Sequence, residues 1–110
     1  MGITKKETYT EKQIQLSALL KAMAHPARVA IIDYLLKTKS CICNDIVREL
    51  PLSQPTVSGH LKELKHAGII KGEIEGNAIC YCVDEKKIKI IQKYFSDLTS
   101  KISLTKTTCC

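Results

Sequence analysis

Two helices are predicted in the first third of the chain from the spacing of its apolar residues. The first covers residues 11–23, and Thr10 is placed to cap its start. The residue before a proline avoids the α conformation, so Pro26 ends this helix and opens a second one that runs to Lys37. The predicted apolar sides are Ile14, Leu19, Leu20 and Met23 in the first helix, and Val29, Ile32 and Leu36 in the second.

A pair of helices joined by a short turn is predicted in the middle of the chain. Residues 44–50 form the shorter helix, which Pro51 ends. Ser53 offers a hydroxyl to cap the longer helix, and Gly68 is placed to stop it at the C′ position. The predicted core sides are Ile46, Val47 and Leu50 in the shorter helix, and Val57, Leu61 and Leu64 in the longer one.

The last third of the chain predicts a β-hairpin followed by a long helix. Residues 69–75 and 78–83 are rich in β-branched and alternating residues, and Gly76-Asn77 between them is a two-residue turn signal. A final helix is expected from Asp84 to about Ser103, with apolar residues spaced three and four apart, which is a heptad seam. The seam consists of Ile88, Ile91, Phe95, Leu98 and Ile102.

These elements predict a mainly α fold with a β-hairpin wing, that is, a winged helix-turn-helix of about five helices and a two-stranded wing. The domain is expected to span residues 11–103, between a flexible N-terminus, 1–10, and a flexible cysteine-containing tail, 104–110. A single domain of 110 residues buries only a modest core. The first and last helices are therefore expected to form a homodimer interface through Leu16, Leu19, Leu20, Ile88, Ile91, Phe95, Leu98 and Ile102.

The charge and the apolar content of the chain indicate which classes of partner to expect. There are 17 lysines and arginines against 11 acidic residues, a formal net charge of +6, which favours a polyanion such as nucleic acid. No stretch approaches the roughly 20 apolar residues that span a bilayer, so no membrane partner and a cytoplasmic location are expected.

The longer central helix is the predicted DNA-reading element, and it would enter the major groove of double-stranded DNA. Its polar side chains can contact base edges and phosphates, while the tip of the following hairpin would lie on the backbone or in the neighbouring minor groove. The predicted DNA-binding residues are Ser53, Gln54, Thr56, Val57, Ser58, His60, Lys62, Lys71 and Asn77.

Three segments of the sequence strongly resemble the ArsR/SmtB family of metal-responsive repressors. They are the run from Leu19 to Arg28, the run from Ser53 to Leu61, and the run from Leu64 to Ile70. The resemblance implies a dimer that binds operator DNA without inducer and releases it when a metal binds. Gly59 departs from the family, whose members usually carry a larger, often base-contacting side chain there.

Six cysteines in a cytoplasmic chain predict reduced thiols that bind a metal or take part in redox chemistry. Cys41 and Cys43 lie at the predicted start of a helix, which favours thiolate. A soft three-coordinate ion takes two sulfurs from so short a spacing, whereas structural zinc usually draws on more widely spaced pairs. The arsenic sensors that the chain resembles carry Cys-x-Cys at this position, which implies As(III) or Sb(III) as inducer, with Cd(II) as another thiophilic candidate and no organic cofactor.

The sequence alone does not identify the third sulfur ligand of the ion. Those sensors often place another cysteine three residues after the second, where this chain has Ile46. Cys109 or Cys110 in the tail is the first choice, from the same or the partner subunit. Cys80 and Cys82 compete, although as alternate residues on one face of a strand they are interpreted first as small strand fillers.

Three other functions are alternatives to the metal-responsive repressor. A redox-responsive repressor of the same fold would use the same cysteines. An enzyme is disfavoured, because the chain lacks a Cys-x-x-Cys, a His-Glu-x-x-His, a glycine-rich phosphate loop and a serine elbow. A winged helix that binds only protein is the third rival.

Overall fold

The computed structural model describes residues 8–38, 42–43, 50–75 and 78–105 of the chain. Four helices and three strands lie within these residues, in the order expected of a winged helix-turn-helix. They are α1 (Glu11–Met23), α2 (Pro26–Thr38), β1 (Ile42–Cys43), α3 (Gln54–His66), β2 (Ile70–Glu75), β3 (Ala78–Val83) and α4 (Glu85–Thr105).

The first two helices begin where the sequence predicts. Thr10 and Gln13 form a capping box, in which the Thr10 hydroxyl accepts from the Gln13 backbone N–H at 3.1 Å and the Gln13 side chain accepts from the Thr10 N–H at 3.0 Å. Pro26 is the first residue of α2, so the predicted break before it is confirmed.

Helix α3 is bounded by the two predicted signals, Ser53 and Gly68. Ser53 caps it by accepting from the Thr56 N–H. Gly68 has a φ of +86°, and its N–H donates to the Lys65 carbonyl while the Ile69 N–H donates to the Leu64 carbonyl. These are the two bonds of a Schellman motif, which requires the left-handed conformation that glycine adopts without strain. The chain therefore leaves the helix and enters β2 at once.

Strands β2 and β3 confirm the predicted hairpin, whose turn at residues 76–77 lies outside the described residues. The sheet has one strand more than predicted, because β1 pairs antiparallel with β3 and gives the order β1-β3-β2. Cys43 thus belongs to a strand and not to the first turn of a helix. The predicted helix over residues 44–50 falls almost wholly outside the described residues.

The hydrophobic core joins α2, α3 and the start of β2. Its largest fully buried side chains are Ile31, Val57, Leu64, Ile69 and Ile70. The prediction for α2 is correct at Ile32 but wrong at Val29 and Leu36, which are 45% and 59% exposed. The helix is turned so that Ile31, Ile32 and Leu35 face the core, a rotation that helical spacing alone does not fix.

Helix α4 is the longest helix described and starts directly after the wing. The Asp84 carboxylate accepts from the Lys86 N–H at 2.9 Å and so acts as its N-terminal cap. The helix continues to Thr105, two residues beyond the expected end. No helix among the described residues has the length and apolar character needed to cross a bilayer.

Candidate nucleic-acid interface and cysteine cluster

Helix α3 has one buried face and one exposed face. Val57 and Leu64 are fully buried and Leu61 nearly so, which fixes the helix on the core. Gln54, Ser58 and Lys62 are exposed. Since residues four apart lie on the same side of a helix, these three polar side chains form one line along the outer surface. A duplex can approach this line without disturbing the core.

The N-terminal end of α3 is held by a pair of hydroxyls. Ser53 and Thr56 are both exposed, and their side-chain oxygens lie 2.8 Å apart in a hydrogen bond. This contact orients both groups at the end of the helix where unsatisfied N–H groups favour a phosphate.

Val57 is a correction to the predicted DNA-binding set. Its side chain has no solvent exposure, so it packs α3 against the core and offers no surface to DNA. The prediction for this residue is wrong because it lies on the buried side of the helix, together with Leu61 and Leu64.

His60 is less accessible than the other predicted contacts. It is half-buried, and the Arg28 Nε–H donates to His60 Nδ1 at 3.0 Å. Arg28 also donates through Nη1 to the Ala22 carbonyl at 3.1 Å, and the rings of His25 and His60 lie 4.4 Å apart between centroids. His60 therefore ties α3 to the junction between α1 and α2.

The environment of His60 favours its neutral form. Partial burial first, and then the nearby charges of His25 and Arg28, lower the pKa of His60 below the usual 6.5. Only the neutral ring can accept at Nδ1 from an arginine, so the hydrogen bond and the lowered pKa agree.

Gly59 and Lys71 complete the described part of the surface. A Cβ atom added at Gly59 would meet no atom within 4 Å. The glycine that stands where the family usually has a larger side chain therefore lies on an open part of the α3 surface. Lys71 on β2 is exposed, as a contact to the DNA backbone requires. The other predicted wing residue, Asn77, lies outside the described residues.

The cysteines of β1 and β3 are brought together by strand pairing. Cys43 is the register partner of Cys80 across the two strands. Cys80 is 3% exposed and Cys82 is half-buried, and both are disulfide-bonded. The burial of Cys80 agrees with its interpretation as a small strand filler, and the disulfide bonds are a feature that the sequence analysis did not predict.

The other predicted ligands, Cys41, Cys109 and Cys110, lie outside the described residues. Within the part of the chain that the structure describes, no three His, Cys, Asp or Glu side chains are grouped as a metal site.

The predicted dimer residues divide into an inner and an outer set. Leu19 and Ile91 are buried in the protomer at 2% and 9% exposure, and Leu16, Leu20 and Ile88 pack partly against its core. Phe95, Leu98 and Ile102 are exposed at 48%, 39% and 65%. A groove of about 310 Å³ runs between α1 and α4 and is lined by Lys12, Gln15, Leu16, Ile90, Lys93, Tyr94 and Asp97.

An exposed polar face on α3, followed directly by a β-hairpin, defines a winged helix-turn-helix DNA-binding protein. Residues 25–71 match the bacterial regulatory protein, arsR family. An uncharacterized HTH-type transcriptional regulator of Methanocaldococcus jannaschii is 37% identical over 80% of this chain and 99% of that protein. The arsenical resistance operon repressor of Staphylococcus xylosus is 30% identical over 72% and 75% of the two chains.

Solved structures agree with these matches. The crystal structure of the transcriptional repressor PagR of Bacillus anthracis is similar with a TM-score of 0.65 and 32% identity, over 78% of this chain and 99% of that chain. The chain belongs to the arsR family, and the resemblance found in its sequence is confirmed. It is a DNA-binding transcriptional regulator and not an enzyme.

Mild acid is expected to destabilise the fold through His60. Because the folded-state pKa is lowered, the folded chain binds fewer protons than the unfolded chain below pH 6.5, and stability falls as the pH drops through that window. The loss is on the order of 1 kcal/mol, the net contribution of one hydrogen bond. Urea unfolding at pH 7.5 and 5.5 measures it. His60→Asn keeps an acceptor but cannot titrate, and an identical pH dependence in both proteins contradicts the assignment.

Proposed function

We propose that the chain is a repressor that binds a double-stranded operator as a homodimer and leaves it when a thiophilic ion, As(III) or Sb(III), binds its cysteine thiolates. One observation supports this proposal above the others. The chain combines the exposed polar face of α3 with a short strand, β1, that contains Cys43 and pairs with β3 of the wing. The protein acts in the cytoplasm, without a membrane partner.

The exposed line on α3 supports operator binding. A B-DNA major groove is about 12 Å wide and admits an α-helix. Gln54 at the start of the line can make a bidentate contact to adenine, while Lys62 near the end pairs with a phosphate. Ser53, Thr56 and Ser58 add hydroxyls, and Lys71 and Asn77 of the wing contact the backbone. His60 positions α3 through Arg28.

The exposed apolar residues of α4 support a homodimer. Phe95, Leu98 and Ile102 continue the seam that Ile88 and Ile91 begin within the protomer. A second copy of the chain covers them by pairing with the same residues across a two-fold axis, with α1 at the edge of the contact. Half-sites one helical turn apart in the DNA then match the two recognition helices.

The composition of the cysteine sites supports a thiophilic inducer. Thiolates select soft ions, and the similar Staphylococcus xylosus protein is named an arsenical resistance operon repressor. Cys41 and Cys43 are the first two ligands, and Cys109 or Cys110 is the third ligand in the assignment from sequence. Cd(II) uses the same ligand chemistry. Binding next to the helix-turn-helix favours a geometry that fits DNA less well, which releases the operator.

A redox-responsive repressor is the second candidate, and one observation favours it. Cys80 and Cys82 are disulfide-bonded, so the chain brings cysteine sulfurs within bonding distance of one another. In this alternative an oxidant converts dithiols to disulfides and the operator is released without a metal.

Operator binding is expected to depend on Gln54. Gln54→Ala should weaken binding by about 10- to 100-fold, since one bidentate base contact contributes roughly 1–3 kcal/mol. Gln92→Ala, which removes an exposed glutamine from α4, is the matched control and should leave affinity within about threefold. Fluorescence anisotropy with a duplex selected by the protein from a random library gives both affinities. Equal binding by Gln54→Ala and the unchanged chain contradicts the assignment.

Inducer release is expected to depend on Cys43. As(III) should release the reduced protein from its operator, and Cys43→Ser should abolish this response while keeping affinity without inducer. Titration of the complex with As(III), Sb(III), Cd(II), Zn(II) and peroxide measures the selectivity. Release by peroxide alone favours the redox alternative. Coupling is reciprocal, so operator DNA must weaken As(III) binding by the same factor, and equal As(III) affinity with and without DNA refutes the mechanism.

Dimer formation is expected to depend on Leu98. Leu98→Glu places a charge in the seam and should convert the dimer to a monomer that binds the operator at least tenfold more weakly. Leu104→Glu adds the same charge at an exposed residue of α4 outside the heptad positions and should remain dimeric. Sedimentation equilibrium at micromolar concentration separates the two outcomes. A monomeric unchanged chain disproves the dimer.

A further inference from the structure

Gly59 occupies the outermost position on α3. The buried residues Val57, Leu61 and Leu64 define the inner side of the helix. At 3.6 residues per turn, Gly59 lies about 170° around the helix axis from their mean direction. Gly59 is exposed, as is Lys62 almost one turn later. A duplex that approaches the exposed face of α3 therefore meets a place that has no side chain.

The fold does not require a glycine at this position. Gly59 is the sixth residue of the 13-residue α3, and among the described glycines only Gly68 has a positive φ. A Cβ atom added at Gly59 meets no atom of the described residues within 4 Å, whereas one added at Gly68 lies 3.1 Å from Lys87 Cε. The structure therefore needs Gly68 but has room for a side chain at Gly59.

Glycine at residue 59 weakens the helix that contains it. In an exposed helix interior, glycine lowers the ratio of folded to unfolded protein about fivefold relative to alanine. Neither the backbone conformation nor the packing of the described residues compensates this loss at Gly59. A locally unfavourable residue that the fold does not need is expected where function needs it.

We propose that Gly59 is a close-approach site, at which the backbone of α3 lies directly against base edges on the floor of the operator's major groove. The inference rests on the proposed function and adds a residue that determines how deeply the recognition helix enters the DNA. A helix with its side chains is about 10–12 Å in diameter, and the groove is about 12 Å wide and 8.5 Å deep. With so little clearance, a side chain at the outermost position decides the depth.

Close approach separates the base contacts of α3 from its phosphate contacts. The exposed Ser58 has a short side chain, so its hydroxyl reaches a base edge only when the helix backbone is near. Lys62 has a long side chain and can still reach a phosphate when the helix is held further out. A side chain at residue 59 is therefore expected to remove sequence-specific binding while leaving most of the electrostatic binding.

Helix α3 cannot readily move to make room for a side chain at residue 59. Val57 and Leu64 are fully buried, and His60 accepts a hydrogen bond from Arg28 on α2. Rotation or displacement of the helix breaks this packing and this bond. The added atoms must then be accommodated at the DNA, and overpacking of a close-packed contact lowers an equilibrium constant about 5- to 150-fold in protein cores.

Two substitutions of different size test the proposal. Gly59→Ala and Gly59→Leu both introduce good helix formers, so urea unfolding should show that each variant is more stable than the unchanged chain. Affinity for a duplex selected by the unchanged protein from a random library should fall with side-chain size, by at least about tenfold for Gly59→Leu. Affinity for a random-sequence duplex should change by less than about threefold, because phosphate contacts supply it. Fluorescence anisotropy gives both affinities.

Ser100→Leu is the matched control for the added side chain. Ser100 is an exposed residue of α4 outside the heptad seam. Its substitution should leave the affinity for the selected duplex within about threefold of that of the unchanged chain, as for most surface changes.

The outcomes separate this inference from the proposed function. If the unchanged chain binds the selected duplex no better than the random one, the proposed function fails and this inference fails with it. If the unchanged chain is selective and Gly59→Leu binds the selected duplex equally well, the role given to Gly59 is overturned. Equal losses in Gly59→Ala and Gly59→Leu overturn it as well, since flexibility and not space is then what the glycine provides. A Gly59→Ala variant less stable than the unchanged chain also overturns it, because the fold then needs the glycine.

Discussion

The packing of α3 through Val57, Leu61 and Leu64 is the contact on which the rest of the molecule depends. These side chains are buried against α2 and the start of β2, and they fix the rotation of the helix about its axis. Because that rotation is fixed, Gln54, Ser58 and Lys62 lie in one line on the outside. The Schellman motif at Gly68 and the bond from Arg28 to His60 hold the end and the middle of the same helix. The exposed face that we propose for DNA recognition is thus a product of core packing.

Signals that act over a few residues were sufficient to predict most of this fold. Thr10, Pro26, Ser53 and Gly68 each fix a helix boundary through contacts within four residues of themselves, and the structure confirms all four. The hairpin follows from its turn sequence for the same reason, and the family was evident from its motifs.

The missed features depend on contacts between distant parts of the chain. Strand β1 is two residues long, too short for any periodicity, and exists because β3 pairs with it. The bond between Arg28 and His60 joins residues 32 positions apart, so no local pattern indicates that His60 faces inward. Val29 and Leu36 have helical spacing, yet the rotation of α2 was set by its partners and not by that spacing. The pairing of Cys43 with Cys80 across β1 and β3 could not be predicted for the same reason.

The strand order β1-β3-β2 leaves β2 at the border of the sheet, with no further strand beside it among the described residues. A border strand offers backbone groups to any passing chain, which is a common origin of unwanted association. Here Lys71 on β2 is exposed, and a charged side chain on a border strand discourages the stacking of one wing upon another. The wing can therefore remain exposed to solvent at high protein concentration while the protein is free of DNA.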